Sequence, residues 1–201
     1  MEYGLTFIGL LTTFGIFFIS LSVHEFAHAY ISFKLGDPTA KYDGRMTLNP
    51  LAHIDPIGTV IVPLFLAFSH LPVFGWAKPV RVNIYNFKSP ARDNFITALS
   101  GPISNFAVAF IAAILMKIFG QIAFLELFVI INVVLAVFNL LPIPPLDGSK
   151  VWHLLLSDET YFTLERIGPI ILISILLFSN YFGNFIFSLI AYIANSIINL
   201  F

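Results

Sequence analysis

Cysteine is missing from all 201 positions, and charged residues fill only 10% of them. Without cysteine there can be no disulfide and no thiolate metal centre, although the absence fixes no compartment. The scarcity of charge says more, because a water-soluble domain carries about 25%. Net charge is −1, so nothing points to nucleic acid or to a strongly charged substrate as a partner. Glu2 is the one charge ahead of the first apolar run, and no cationic stretch precedes it. That run therefore reads as a retained helix, not a cleaved leader.

What is present is apolar. Hydrophobic residues make up 58% of the chain and Phe alone supplies 23 positions; mean hydropathy is +0.91. A helix needs roughly 20 residues to cross about 30 Å of hydrocarbon. Uncharged runs cover 3–23, which continues as one long helix to about 33, then 57–77, 95–116, 127–146 and 167–201. The run 57–77 contains Pro63, His70, Pro72 and Gly75, and the run 127–146 ends in Pro142, Pro144 and Pro145. The last run is interrupted near Asn180, Gly183 and Asn184, which suits a helical hairpin. In the connector 78–94, Val80, Val82 and Ile84 alternate with Arg81 and Asn83, a period of two that predicts a short strand. No internal repeat or low-complexity linker divides the chain. The expectation is a single domain over 1–201, with a core at 1–150 and a C-terminal helical hairpin at 151–201.

Basic residues orient these runs. If 57–77 enters and leaves on one face, Lys34, Lys41, Arg45, Lys78, Arg81, Lys88, Arg92, Lys150 and Arg166 share a side, with Lys117 alone opposite. A full crossing would split the ten residues six to four. Cytoplasmic loops hold the excess of Lys and Arg, so the lopsided arrangement is preferred and 57–77 is expected to be re-entrant or broken. The N-terminus then lies outside, and the connectors 34–56, 78–94 and 147–166 lie in the cytoplasm.

Chemistry concentrates at His24-Glu25-Phe26-Ala27-His28. Helical spacing puts the two imidazoles on one face, one turn apart, where both can reach a single Zn²⁺. Glu25 beside them can accept a proton from water. Ionisable groups within a membrane segment cost about 2.5–3.5 kcal/mol each near the bilayer centre and are usually functional. A catalytic zinc takes a third protein ligand and keeps one position open. No glycine follows His28 at the metzincin spacing, because Ile31 stands there, and the next glutamate is Glu126. The acids beside apolar runs are Asp55 and Asp147. Asp147 follows the proline break and precedes Gly148, whose flexibility would let the acid swing into a site. Under the lopsided charge arrangement, the helix before Asp147 runs outside to inside, as does the helix bearing His24 and His28. All three then reach similar depth on the cytoplasmic side, whereas a full crossing of 57–77 would part them.

Five signatures in order carry a family resemblance: HEFAH at 24–28, NPLAHIDPIGT at 49–59, GWAKPVRVN at 75–83, SGPISN at 100–105 and FNLLPIPPLDG at 138–148. The chain resembles the site-2 protease family of intramembrane zinc metalloproteases, in its short prokaryotic form. The resemblance implies that His24, His28 and Asp147 bind one Zn²⁺ per chain and that Glu25 is catalytic. It implies that Asn139 contacts the scissile carbonyl or the substrate backbone, and that Gly101, Pro102 and Asn105 belong to a supporting helix between the two ligand-bearing helices. His53 is a candidate partner of the site or a substrate contact, with loop packing equally open. His70 and His153 have no motif around them and receive no role.

The fold expected is an all-α polytopic membrane protein: a three-helix catalytic core, a re-entrant or broken segment, a short β element and the C-terminal hairpin. The function expected is hydrolysis of a peptide bond in or near a transmembrane segment of another protein, at a cell (inner) membrane, with the site towards the cytoplasm. The extended substrate would add as a strand to 79–85. The alternative is a metal-binding membrane protein that hydrolyses nothing, a transporter or sensor. Lipid and a membrane protein substrate are the implied partners, nucleic acid is not, and the sequence does not fix the oligomeric state.

Overall fold

The computed structural model describes residues 7–69, 77–178 and 180–200. Helix α1 spans Phe7–Lys34, mostly apolar, with His24, Glu25 and His28 in its second half and one basic residue in its last turn. It stops where Gly36 takes a left-handed φ of 111° and Pro38 follows two residues later. A four-residue helix α2, Thr39–Tyr42, and a 3₁₀ turn at Pro50–Ala52 lead into the second apolar run. That run opens as a π turn, Pro56–Ile61, because Asp55 accepts hydrogen bonds from the Ile57 and Gly58 N–H groups at its start. It continues as the short helix α3, Val62–Phe68. Its second half, including His70, Pro72 and Gly75, lies outside the described residues.

Helix α4, Pro90–Phe119, places Pro90 in its first turn, where the missing N–H costs nothing. It ends at Gly120, φ 91°. Helix α5, Ala123–Asn139, is only 17 residues long, about 26 Å. The sequence suggested a run to 146, but Pro142, Pro144 and Pro145 cannot extend the hydrogen-bond ladder and the chain turns after Asn139. A 3₁₀ turn at Asp147–Val151, a single-turn helix α6 (Trp152–Leu155), and the helices α7 (Asp158–Phe178) and α8 (Asn180–Ile198) complete the chain. The expected pair of helices in the C-terminal run is therefore present.

α4 is the central element, packed against α1 on one side and α5 on the other. Its buried face is built from small residues, Ala98, Gly101, Ala109, Ala112 and Ala113, which let the backbones approach closely. A continuous apolar core joins these alanines and Met116 to Val129, Val133 and Val137 of α5 and to Ile186, Ile190, Ala194 and Ile197 of α8. Two helical stretches, Leu11–Lys34 and Pro90–Phe119, are long and apolar enough to cross a membrane. Large apolar side chains such as Ile8, Leu11, Ile111, Phe119, Ile170 and Phe187 are exposed along the helices.

The short β element is not seen: among the described residues there is no strand. Residues 77–83 take no regular structure, although Asn83 itself is extended, and they pair with no neighbouring strand. Their N–H groups turn to other acceptors instead. Lys78 N–H donates to the His53 carbonyl (3.0 Å), Val80 N–H to Glu25 Oε2 (3.0 Å) and Asn83 N–H to Asp37 Oδ2 (2.8 Å). The strand expected from the alternating sequence is therefore not formed.

Candidate metal centre

Three side chains from two elements converge on one point. His24 and His28 project from α1, one turn apart, with ring centroids 4.6 Å apart and planes nearly perpendicular. Asp147 arrives from the turn after α5. Its Oδ2 lies 3.1 Å from His24 Nε2 and 3.2 Å from His28 Nε2, and the two Nε2 atoms are 3.0 Å apart. The two histidines are buried and Asp147 is half-buried.

The protons of the two rings are assigned by their partners. Asn105 on α4 uses its Nδ2 to donate to Asn132 Oδ1 (2.9 Å) and to the Ser20 carbonyl (3.2 Å). Its Oδ1 is then the acceptor for His24 Nδ1, at 2.6 Å. His28 Nδ1 faces the Thr97 carbonyl at 2.8 Å, and a carbonyl can only accept. Both Nδ1 atoms therefore carry the hydrogen, and both Nε2 lone pairs point at the centre. Asp147 Oδ2 is buried with no hydrogen-bond donor. Three ligand atoms facing one another need a positive charge among them, which a metal ion supplies. Zinc bonds of 2.0–2.1 Å give tetrahedral ligand separations of about 3.3 Å, close to the three distances seen. Two imidazoles and a carboxylate suit zinc better than magnesium or calcium.

Glycines make this packing possible. A Cβ on Gly101 would collide with His28 Nε2 and with Cε1 of both rings. A Cβ on Gly148 would run into the carbonyls of Leu140 and Leu141, so this residue is needed for close approach of the Asp147 turn to the end of α5.

Glu25 is buried next to His24 on α1, and its Oε2 accepts from Val80 N–H. Asn139 Nδ2 donates to the Leu135 carbonyl, 2.9 Å away on its own helix. His53 is tied within its loop, donating from Nε2 to the Thr47 carbonyl at 2.9 Å. Asp55 caps the π turn and stands apart from the cluster. Sequence reasoning missed Ser20 and Asn132, which complete the network behind His24; Asn132 Nδ2 donates to Ser20 Oγ at 2.8 Å. A polar side chain inside the apolar run 127–146 was the available signal. The Thr97 carbonyl carried no signal, being backbone.

Comparison with known proteins agrees with this centre. The description "Peptidase family M50" fits residues 117–180, the stretch that delivers Asp147. Over 146 residues the chain is 39% identical to YwhC of Bacillus subtilis (strain 168), provisionally named a zinc metalloprotease, covering 66% of this chain and 64% of that one. The family match and this relative support the resemblance to the site-2 proteases. Other relatives include Rip2 of Mycolicibacterium smegmatis, also provisionally named a zinc metalloprotease, at 33% identity over 71% of this chain and 56% of that protein. Stage IV sporulation protein FB of Bacillus subtilis is 28% identical over 71% of this chain and half (50%) of its own length. The chain thus spans less than two thirds of the curated relatives it matches. No solved structure matches it.

Proposed function

We propose that this chain is an intramembrane zinc protease that hydrolyses a peptide bond in or near a transmembrane segment of another protein. The observation that carries the reading is the convergence of His24 Nε2, His28 Nε2 and Asp147 Oδ2 within 3.0–3.2 Å of one another, beside a buried glutamate. In this reading the three side chains hold one zinc ion. Zinc, when bound, lowers the pKa of a water molecule to about 7 and polarises a carbonyl. The chain's own residues do the rest. Asn105 and the Thr97 carbonyl keep both imidazoles in the tautomer that offers Nε2 to the metal. Glu25 accepts the proton of the attacking water and returns it to the leaving amine. The substrate contact implied for Asn139 would use the second N–H of its amide, the first being held by the Leu135 carbonyl.

The same reading makes the chain multi-pass in the cell's inner membrane, with the centre towards the cytoplasm. The two long apolar helices and the nine-to-one division of basic residues support it. Substrates are then membrane proteins that unwind locally, since a helix hides the carbonyl to be attacked. Comparative membrane proteomics of wild type and Glu25→Gln tests the activity. A membrane protein should accumulate uncut in the variant while zinc content stays at the wild-type level. Identical cleavage patterns in the two strains would refute hydrolysis.

A further inference from the structure

Residues 77–83 lie across α1 without a strand partner among the described residues, so side-chain and loop anchors must fix their position. Two of those anchors bracket Val80. On one side Lys78 N–H is held by the His53 carbonyl at 3.0 Å; on the other Asn83 N–H is held by Asp37 Oδ2 at 2.8 Å. The pair between Arg81 and Asp43 is exposed on the arginine side, and such pairs hold weakly in water. Asp37 is fully buried just beyond the end of α1. Its Oδ1 takes Thr39 N–H (3.1 Å), Thr39 Oγ (2.5 Å) and Asn86 Nδ2 (2.7 Å). Burial pushes this carboxyl up, and the hydrogen bonds from Thr39, Asn86 and Asn83 outweigh it, holding it below its usual range. The ionised carboxylate therefore clamps both ends of the turn Asn83–Asn86 to the end of α1.

We propose that Asp37 is a positioning residue, anchoring the segment 77–83 so that Val80 N–H grips Glu25 Oε2 and fixes the orientation of the base. The inference rests on the hydrolytic reading above. With Oε2 committed to Val80, the other carboxylate oxygen is the one turned to water, and the donor is backbone that no substitution at position 80 short of proline removes. Releasing Asn83 frees the segment three residues from the grip. Glu25 then samples rotamers in which proton transfer fails, while the metal ligands, held from α4 and from the turn after α5, stay in place.

The test uses the full-length chain, zinc-loaded in lipid nanodiscs, with the transmembrane segment recovered from the proteomic comparison as substrate. Asp37→Ala and Asn83→Pro break the anchor from opposite sides. Thr39→Val removes a donor to Asp37 without touching the segment. Both anchor variants should lose about tenfold or more in kcat. KM and zinc content should be unchanged, and amide exchange across 78–83 should be faster. Thr39→Val, which leaves the Asn83 anchor in place, should lose less kcat than either anchor variant. Wild-type kcat in both anchor variants despite faster exchange would overturn the proposal, as would loss of zinc in both, or a kcat loss in Thr39→Val equal to theirs. Should the wild-type chain cleave nothing, hydrolysis fails as a reading; the exchange measurement still decides whether Asp37 anchors the segment.

Discussion

Gly101 faces the two imidazoles from α4, and even a methyl group there would overlap His28 Nε2 and Cε1 of both rings. Neither ring can yield without leaving its Nδ1 partner, Asn105 for one and the Thr97 carbonyl for the other. Gly101→Ala is therefore expected to weaken zinc binding about 10–100-fold, the scale seen when ligand-orienting contacts are lost. Chelator competition on purified protein measures it, and wild-type affinity in a folded variant would contradict the packing argument. At this scale the sequence was most legible where spacing encodes geometry. His24 and His28 share a face because a helix repeats every 3.6 residues. Asp147 could be picked from the acids by the proline break before it. The partner of Asn105 was not legible, since no local pattern tells which of several buried polar groups a side chain from another helix will meet.

Among the elements, the second apolar run carries the sharpest consequence. A π turn capped by Asp55 and a seven-residue helix are all that its first half forms, too short to cross hydrocarbon. The lopsided division of basic residues predicts that the whole run returns to the face it left. Because the chain has no cysteine, single cysteines at Lys41, Lys88 and Lys117 report topology without background. A membrane-impermeant thiol reagent applied to intact cells should label position 117 and spare 41 and 88. Labelling at 88 but not at 41 would mean that the run crosses. The segment 77–83 shows where element reading fails. Alternation of Val80 and Val82 with Arg81 and Asn83 predicts extended backbone. Whether a strand lies alongside is decided by distant acceptors, here Glu25, Asp37 and His53, which a period of two does not encode.

Across the whole molecule, α4 is the plane on which everything else is assembled. Its small residues admit α1 and α5, its Asn105 and Thr97 orient the imidazoles, and its far end shares a core with α8. The C-terminal helices also reach the ligand turn. Lys150 Nζ pairs with Glu165 of α7 at 2.8 Å, and a Cβ on Gly168 would strike Pro144. Lopsided basic residues and converging ligands demand the same topology, which is why so much of the architecture could be read from composition and spacing. The central claim is that His24, His28 and Asp147, and no other acid, hold one zinc ion. It is tested most directly by metal analysis of the purified wild-type chain beside Asp147→Ala and Asp55→Ala. The account predicts equimolar zinc in the wild type and in Asp55→Ala, and loss of zinc from folded Asp147→Ala. Full zinc in Asp147→Ala, or its loss from Asp55→Ala alone, would contradict it.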